Sequence, residues 1–150
     1  MEALPMTYTT THTAAHTIPQ DPIHATQPMD TITINHLEIT TIIGTYSFER
    51  RLKQKLFITA HFPVNASSIS EHDDINVRST VDYEKLSDAI VKFGLENNFF
   101  LLETFAEKLS KHLFNLYPIK ALTLEITKPA ALKNAQGVKI TICRTCPRPA

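Results

Sequence analysis

Four polar side chains interrupt apolar stretches where proton transfer or hydrogen-bonded recognition is within their chemical reach. Glu103 directly follows Phe99-Phe-Leu-Leu102. Lys128 ends an apolar run before Pro129, Glu49 lies in a connection after Gly44, and Tyr83 opens a helical stretch. A carboxylate and an amine can pass protons, and a carboxylate can accept two parallel N–H bonds. Each also has a commoner structural use. Glu103 fits a first-turn acid favoured by the helix dipole, and Lys128 an exposed strand end. Glu49 fits a solvated loop acid, and Tyr83 a half-buried packing tyrosine.

Other chemistries find little support. Gly44, Gly94 and Gly137 are the three glycines, too far apart for a phosphate-cradling loop. No His-Glu-x-x-His, Gly-x-Ser-x-Gly or metal-spaced carboxylate set occurs. Cys143-Arg-Thr-Cys146 offers two of the four ligands of a structural zinc. It lacks the following helix of a redox pair, so the reading is one strand residue and one tail residue. His61 and His112 have no neighbour in sequence that makes them ligands. No metal or cofactor is therefore expected.

The chain has 150 residues, with 15 Lys+Arg against 15 Asp+Glu. Zero net charge argues against nucleic acid as the main partner, and no apolar run suffices for a membrane span. Residues 1–28 carry only Glu2 and Asp21 as charges, with seven Thr, four Pro, three His and no Gly. This stretch has no hydrophobic period, no apolar signal core and no Arg-rich amphipathic helix. It reads as a disordered extension, ahead of a domain over 29–146 and a tail over 147–150. Nothing demands an oxidising compartment, so the expected location is the cytoplasm.

The elements that must position the four side chains follow from periodicity. Thr31-Ile-Thr-Ile-Asn35 alternates as a strand, and the apolar phase shifts near His36, which predicts a bulge. Leu56, Ile58, Ala60, Phe62 and Val64 share one face of a second strand, expected to pair antiparallel with the first. Residues 65–80 read as a long polar loop. Asp82 is an N-cap for a helix carrying Leu86, Ile90 and Phe93. A second helix over about Leu101–Leu116 has Leu102, Phe105, Leu109, Leu113 and Leu116 as its stripe, and Pro118 stops it. Leu122, Leu124 and Ile126, then Val138, Ile140 and Ile142, mark two more strands. The order β-β-α-α-β-β argues an α+β fold: an antiparallel sheet with two helices on one face. The other face is left for solvent or a partner subunit.

Taken together, these segments resemble the dihydroneopterin aldolase family. The resemblance is carried by Ile43-Gly-Thr-Tyr-Ser-Phe-Glu49, Gln54-Lys-Leu56, Thr80-Val-Asp-Tyr83, Phe100-Leu-Leu-Glu103-Thr-Phe-Ala-Glu107 and Thr127-Lys128-Pro-Ala-Ala-Leu132. No single motif is specific, but the ordered set over about residues 30–145 is. Ser47-Phe48 and Asp82 stand where relatives often have Asp-Trp or Asn, and Ala130 where glycine is frequent. None of these changes removes a functional group.

The resemblance implies the tunnelling fold, whose subunits join into oligomeric rings. The expected assembly is an octamer with active sites between subunits. It implies a lyase of folate biosynthesis that splits 7,8-dihydroneopterin into 6-hydroxymethyl-7,8-dihydropterin and glycolaldehyde without metal or Schiff base, because the C6=N5 imine of the substrate takes up the electrons. It assigns Glu103 as the pterin anchor, with Leu102 beside it offering backbone groups. Lys128 becomes the general acid/base, Tyr83 a substrate and proton-transfer contact from a neighbouring subunit, and Glu49 the acid that orients the substrate side chain and Lys128. The family often shows C2′ epimerase activity as well. The rival on the same scaffold is the dihydroneopterin triphosphate 2′-epimerase, for which Arg50-Arg51 with Lys53 and Lys55 would be the phosphate-binding candidates. A non-catalytic pterin-binding oligomer would keep Glu103 but lose the proton-transfer set.

Overall fold

A computed structural model describes residues 30–66, 81–129 and 131–147. The extension over 1–28, most of the polar loop, Ala130 and the end of the tail lie outside the described residues. Strand β1 (Asp30–Ile43) and strand β2 (Gln54–Val64) are followed by helix α1 (Tyr83–Glu96) and a two-residue strand β3 (Asn98–Phe99). Helix α2 (Leu102–Leu116), strand β4 (Ala121–Lys128) and strand β5 (Val138–Thr145) complete the order. The five strands form one sheet in the order β3-β1-β2-β4-β5. Among the described residues no helix is long and apolar enough to cross a membrane.

The alternation of β2 fixes which face meets the helices. Leu56, Ile58, Ala60 and Phe62 are fully buried, as are Leu124 and Ile126 of β4, while Thr59, His61, Thr123 and Glu125 share the opposite face. Leu86 and Ile90 of α1 and Phe105, Leu109 and Leu113 of α2 close over the apolar side. Burying such side chains contributes roughly 1.5–3 kcal/mol each before entropy is counted. Asp82 caps α1 by accepting from the Lys85 backbone N–H at 3.2 Å. Helix α2 ends at Tyr117, whose N–H donates to the Leu113 carbonyl, one residue before Pro118.

Strands β1 and β2 pair antiparallel, and their register slips between Ile34 and Leu37. The cause is a bulge at His36, which adopts φ 56° while its ring stacks on Phe57 at 4.3 Å. The bulge restores the inward phase that puts Ile39 and Ile43 in the core. The sheet departs from an all-antiparallel one at β3, which runs parallel to β1 by pairing Ile42 with Asn98 and Ile43 with Phe99. Two residues carry no period, so this strand has no signature in sequence. It nevertheless decides the site, because it docks the entrance of α2 on the end of β1.

Candidate functional site

The site forms where β1, the turn after it, β3 and the end of β4 meet. Lys128 is the last residue of β4, and strand alternation turns its side chain to the helix-covered face, where it is only 9% exposed. Glu49 sits in the turn between β1 and β2 and is equally buried. The Lys128 ammonium lies 2.5 Å from the Glu49 carboxylate and 3.4 Å from the Ile43 carbonyl oxygen. A strand-end lysine and a loop acid thus form a buried pair, not the two solvated charges that are commoner for such positions.

The turn is built to receive the carboxylate. Gly44 has φ +135°, a conformation that L side chains rarely adopt. The chain then folds back, and the Tyr46 N–H donates to Glu49 Oε2 at 3.0 Å. The Lys128 hydrogen bond, with lesser help from the Tyr46 and Thr45 backbone, holds the Glu49 carboxyl below the usual glutamate range despite its burial. On the far side of the turn, Gln54 Nε2 donates to the Ile43 carbonyl at 2.5 Å. That oxygen therefore serves both Gln54 and Lys128.

Glu103 reaches this region through the backbone. The Gly44 N–H donates to the Phe99 carbonyl at 3.2 Å, and Arg50 donates to the same oxygen at 2.5 Å. The Arg50 guanidinium also lies over the Phe100 ring, 4.1 Å from its centre. These ties hold the stretch that leads into α2 against the turn that carries Glu49. Glu103, the second residue of α2, is exposed there, while Leu102 is half-buried against the core. Among the described residues no side chain bonds Glu103, and its place in the first turn suits an acid.

Tyr83 lies elsewhere. It opens α1 with its side chain 62% exposed, beside a cavity of about 550 Å³ that Ile32, Thr33, Ile34 and Leu37 line with it. Leu37 and Ile43 are six strand steps apart, roughly 20 Å at the usual strand rise. Within one chain, Lys128, Glu49 and the entrance to Glu103 come together, and Tyr83 faces the other end of β1.

Among the described residues no three His, Cys, Asp or Glu side chains gather as a metal-holding group. Cys143 and Cys146 are free thiols, one within β5 and one just after it. His61 on the open face is 3.0 Å from Thr33 Oγ1 and 3.5 Å from Glu125, and His112 packs against Phe93. Arg50 and Gln54 carry much of the geometry. Their roles arise through space: in sequence Gln54 only opens one of the matched segments, and Arg50 directly follows another as part of a basic cluster.

The family model described as dihydroneopterin aldolase matches residues 32–143. The dihydroneopterin aldolase of Haemophilus influenzae is 29% identical over 118 residues, covering 79% of this chain and 98% of that protein. The dihydroneopterin triphosphate 2′-epimerase of Pseudomonas aeruginosa is 28% identical over 114 residues, covering 76% of this chain and 91% of the other. The crystal structure of Escherichia coli dihydroneopterin aldolase in complex with neopterin superposes with a TM-score of 0.71 at 26% identity, covering 77% of this chain and 99% of that one.

Proposed function

Because this chain belongs to the dihydroneopterin aldolase family, we propose that its buried Lys128–Glu49 pair moves the protons of a retro-aldol cleavage on a pterin that Glu103 anchors. The activity is that of a folate-biosynthesis aldolase, a lyase acting on 7,8-dihydroneopterin, and the fold is the tunnelling fold of that family. The observation that carries the residue roles is the 2.5 Å contact between Lys128 and Glu49, each only 9% exposed, where the end of β4 meets the turn after β1.

The chemistry follows from the substrate. A base takes the proton of the C2′ hydroxyl, and its C–O bond becomes the C=O of glycolaldehyde. The C1′–C2′ bond breaks, and its electron pair moves through C1′=C6 onto N5, which takes up a proton. Protonation at C1′, with loss of the N5 proton, then gives 6-hydroxymethyl-7,8-dihydropterin. No oxidant or reductant enters, and the imine supplies the electron sink, so neither a metal nor a Schiff base is required of the protein. Lys128 serves as proton carrier. Glu49, kept ionised by its contacts, orients the ammonium and the hydroxylated side chain. Glu103, an uncommitted carboxylate at the mouth of the site, accepts the paired N–H groups of the pterin 2-amino group and N3. Leu102 adds backbone contacts to the ring.

Tyr83 completes the site from a second copy. Its distance along β1 from the Ile43 carbonyl supports a site shared between subunits, since a neighbour can present its Ile32–Leu37 end to this Lys128 end. A ring of such pairs, an octamer in this family, is the assembly proposed here.

The triphosphate epimerase is the second reading, and the Pseudomonas aeruginosa relative favours it. The basic residues it would need are partly engaged. Arg50 is held by Phe99 and Phe100, and Lys55 pairs with Glu38 at 2.8 Å. Product analysis on 7,8-dihydroneopterin and on its triphosphate separates the two. Glycolaldehyde from the first is expected, and C2′-inverted triphosphate as the only product would overturn the aldolase.

A further inference from the structure

Among the described residues, the Ile43 carbonyl is the one acceptor that Lys128 shares with another side chain. Gln54, the first residue of β2 and half-buried, donates its amide Nε2 to this oxygen at 2.5 Å, while Lys128 Nζ stands off at 3.4 Å. A carbonyl oxygen has two lone pairs and can only accept, which fixes the end of the Gln54 amide that faces it. The short bond takes one lone pair and sets the direction of the carbonyl. The long bond leaves the ammonium firmly held, among the described residues, by Glu49 at 2.5 Å.

We infer that Gln54 is a positioning residue for Lys128: by occupying the Ile43 carbonyl, it keeps the ammonium from settling onto the backbone and leaves it directed to the substrate. The argument is one of competition. Without the Gln54 donor, the strongest acceptor beside Glu49 would be open. A charged ammonium bonds a free carbonyl more strongly than an amide does. Lys128 would move toward Ile43 and away from the reacting atoms, and a displacement of under an ångström is costly to proton transfer. Pterin anchoring at Glu103 should be kept, because the stretch that leads to it is also held by the Arg50 bond to the Phe99 carbonyl, in which Gln54 has no part.

This inference rests on the reading of Lys128 as the proton carrier, so both are tested together on the full-length chain. Gln54→Met keeps the length and removes the donor. Its kcat on 7,8-dihydroneopterin should fall by about tenfold, a part of what a proton-transfer group contributes, while its Kd for neopterin stays within about twofold of the parent. If Gln54→Met does not fold, Gln54→Leu also removes the donor without adding a charge beside Lys128, and carries the same expectation. Unchanged kcat overturns the inference. So does a parallel loss of kcat and neopterin affinity, which would mark a merely structural role. Lys128→Ala, assayed alongside, separates the two levels. An inactive Lys128→Ala with an unaffected Gln54 variant sinks the positioning role alone, whereas an active Lys128→Ala sinks the reading beneath it.

Discussion

Gly44 stands directly against the carboxylate of Glu49: a Cβ at position 44 would overlap both carboxylate oxygens. The same residue has φ +135°, so a side chain there meets two obstacles, backbone strain and the acid itself. One relieves neither without aggravating the other, because straightening the turn would withdraw the Tyr46 N–H from Glu49. Gly44→Ala should therefore lose at least about 1 kcal/mol of stability and most of its kcat, with Glu49 pushed off Lys128. Urea titration and steady-state kinetics check it, and a fully active Gly44→Ala would remove this turn from the catalytic geometry.

The acid limb of the stability curve reports on Glu49. Its carboxyl is held low by the Lys128 hydrogen bond first, then by backbone N–H groups, against the opposing effect of burial. A carboxyl that is more acidic in the folded chain stabilises it above the unfolded value. That contribution is lost as pH falls through the folded value. Stability should thus drop below about pH 4.3, the ordinary glutamate range. Asp82 and Glu125 are lowered as well, so the parent curve mixes all three. The difference from Glu49→Gln isolates this one: the variant should show the shallower fall between pH 5 and 3 in urea midpoints, and an identical slope would refute the pair's contribution.

Glu103 should separate binding from chemistry. Among the described residues its carboxylate makes no bond that would have to be broken before it meets a ligand. Removing the acceptor leaves the donors of a bound pterin unpaired, a cost of roughly 2–3 kcal/mol, or about 30- to 150-fold in Kd. Glu103→Ala should show this loss in neopterin titrations with little change in melting temperature. Unaltered affinity would take the anchor role away from it.

Much of this architecture is legible in the chain because local chemistry and tertiary demand agree. The Leu56–Phe62 alternation, the Asp82 cap and the Pro118 stop each say in sequence what the fold then does. The phase slip at His36 marks the bulge because a half-buried strand cannot absorb an odd residue without one. The site is legible in a different way. Lys128 and Glu49 are 79 residues apart, and nothing in either local segment reports that the two are buried against each other. Only the ordered resemblance joins them. The β3 strand, the Arg50 clamp and the shared Ile43 carbonyl stayed hidden, because each depends on which backbone atoms the finished sheet brings within 3.5 Å.

The separation of Tyr83 from Lys128 gives the sharpest test of a site built between chains. Take two inactive proteins, Tyr83→Ala and Lys128→Ala, and let their subunits mix. If one chain supplies Lys128, Glu49 and Glu103 while its neighbour supplies Tyr83, a random equal mixture contains sites that draw an intact lysine from one parent and an intact tyrosine from the other. About a quarter of the sites should be whole, and activity should return toward that fraction as exchange proceeds. A second reading of the same experiment comes from dilution: recovered activity should vanish at concentrations where the assembly falls apart. If each chain used its own Tyr83, every mixed assembly would hold only broken sites, and the mixture would be as inactive as its parents.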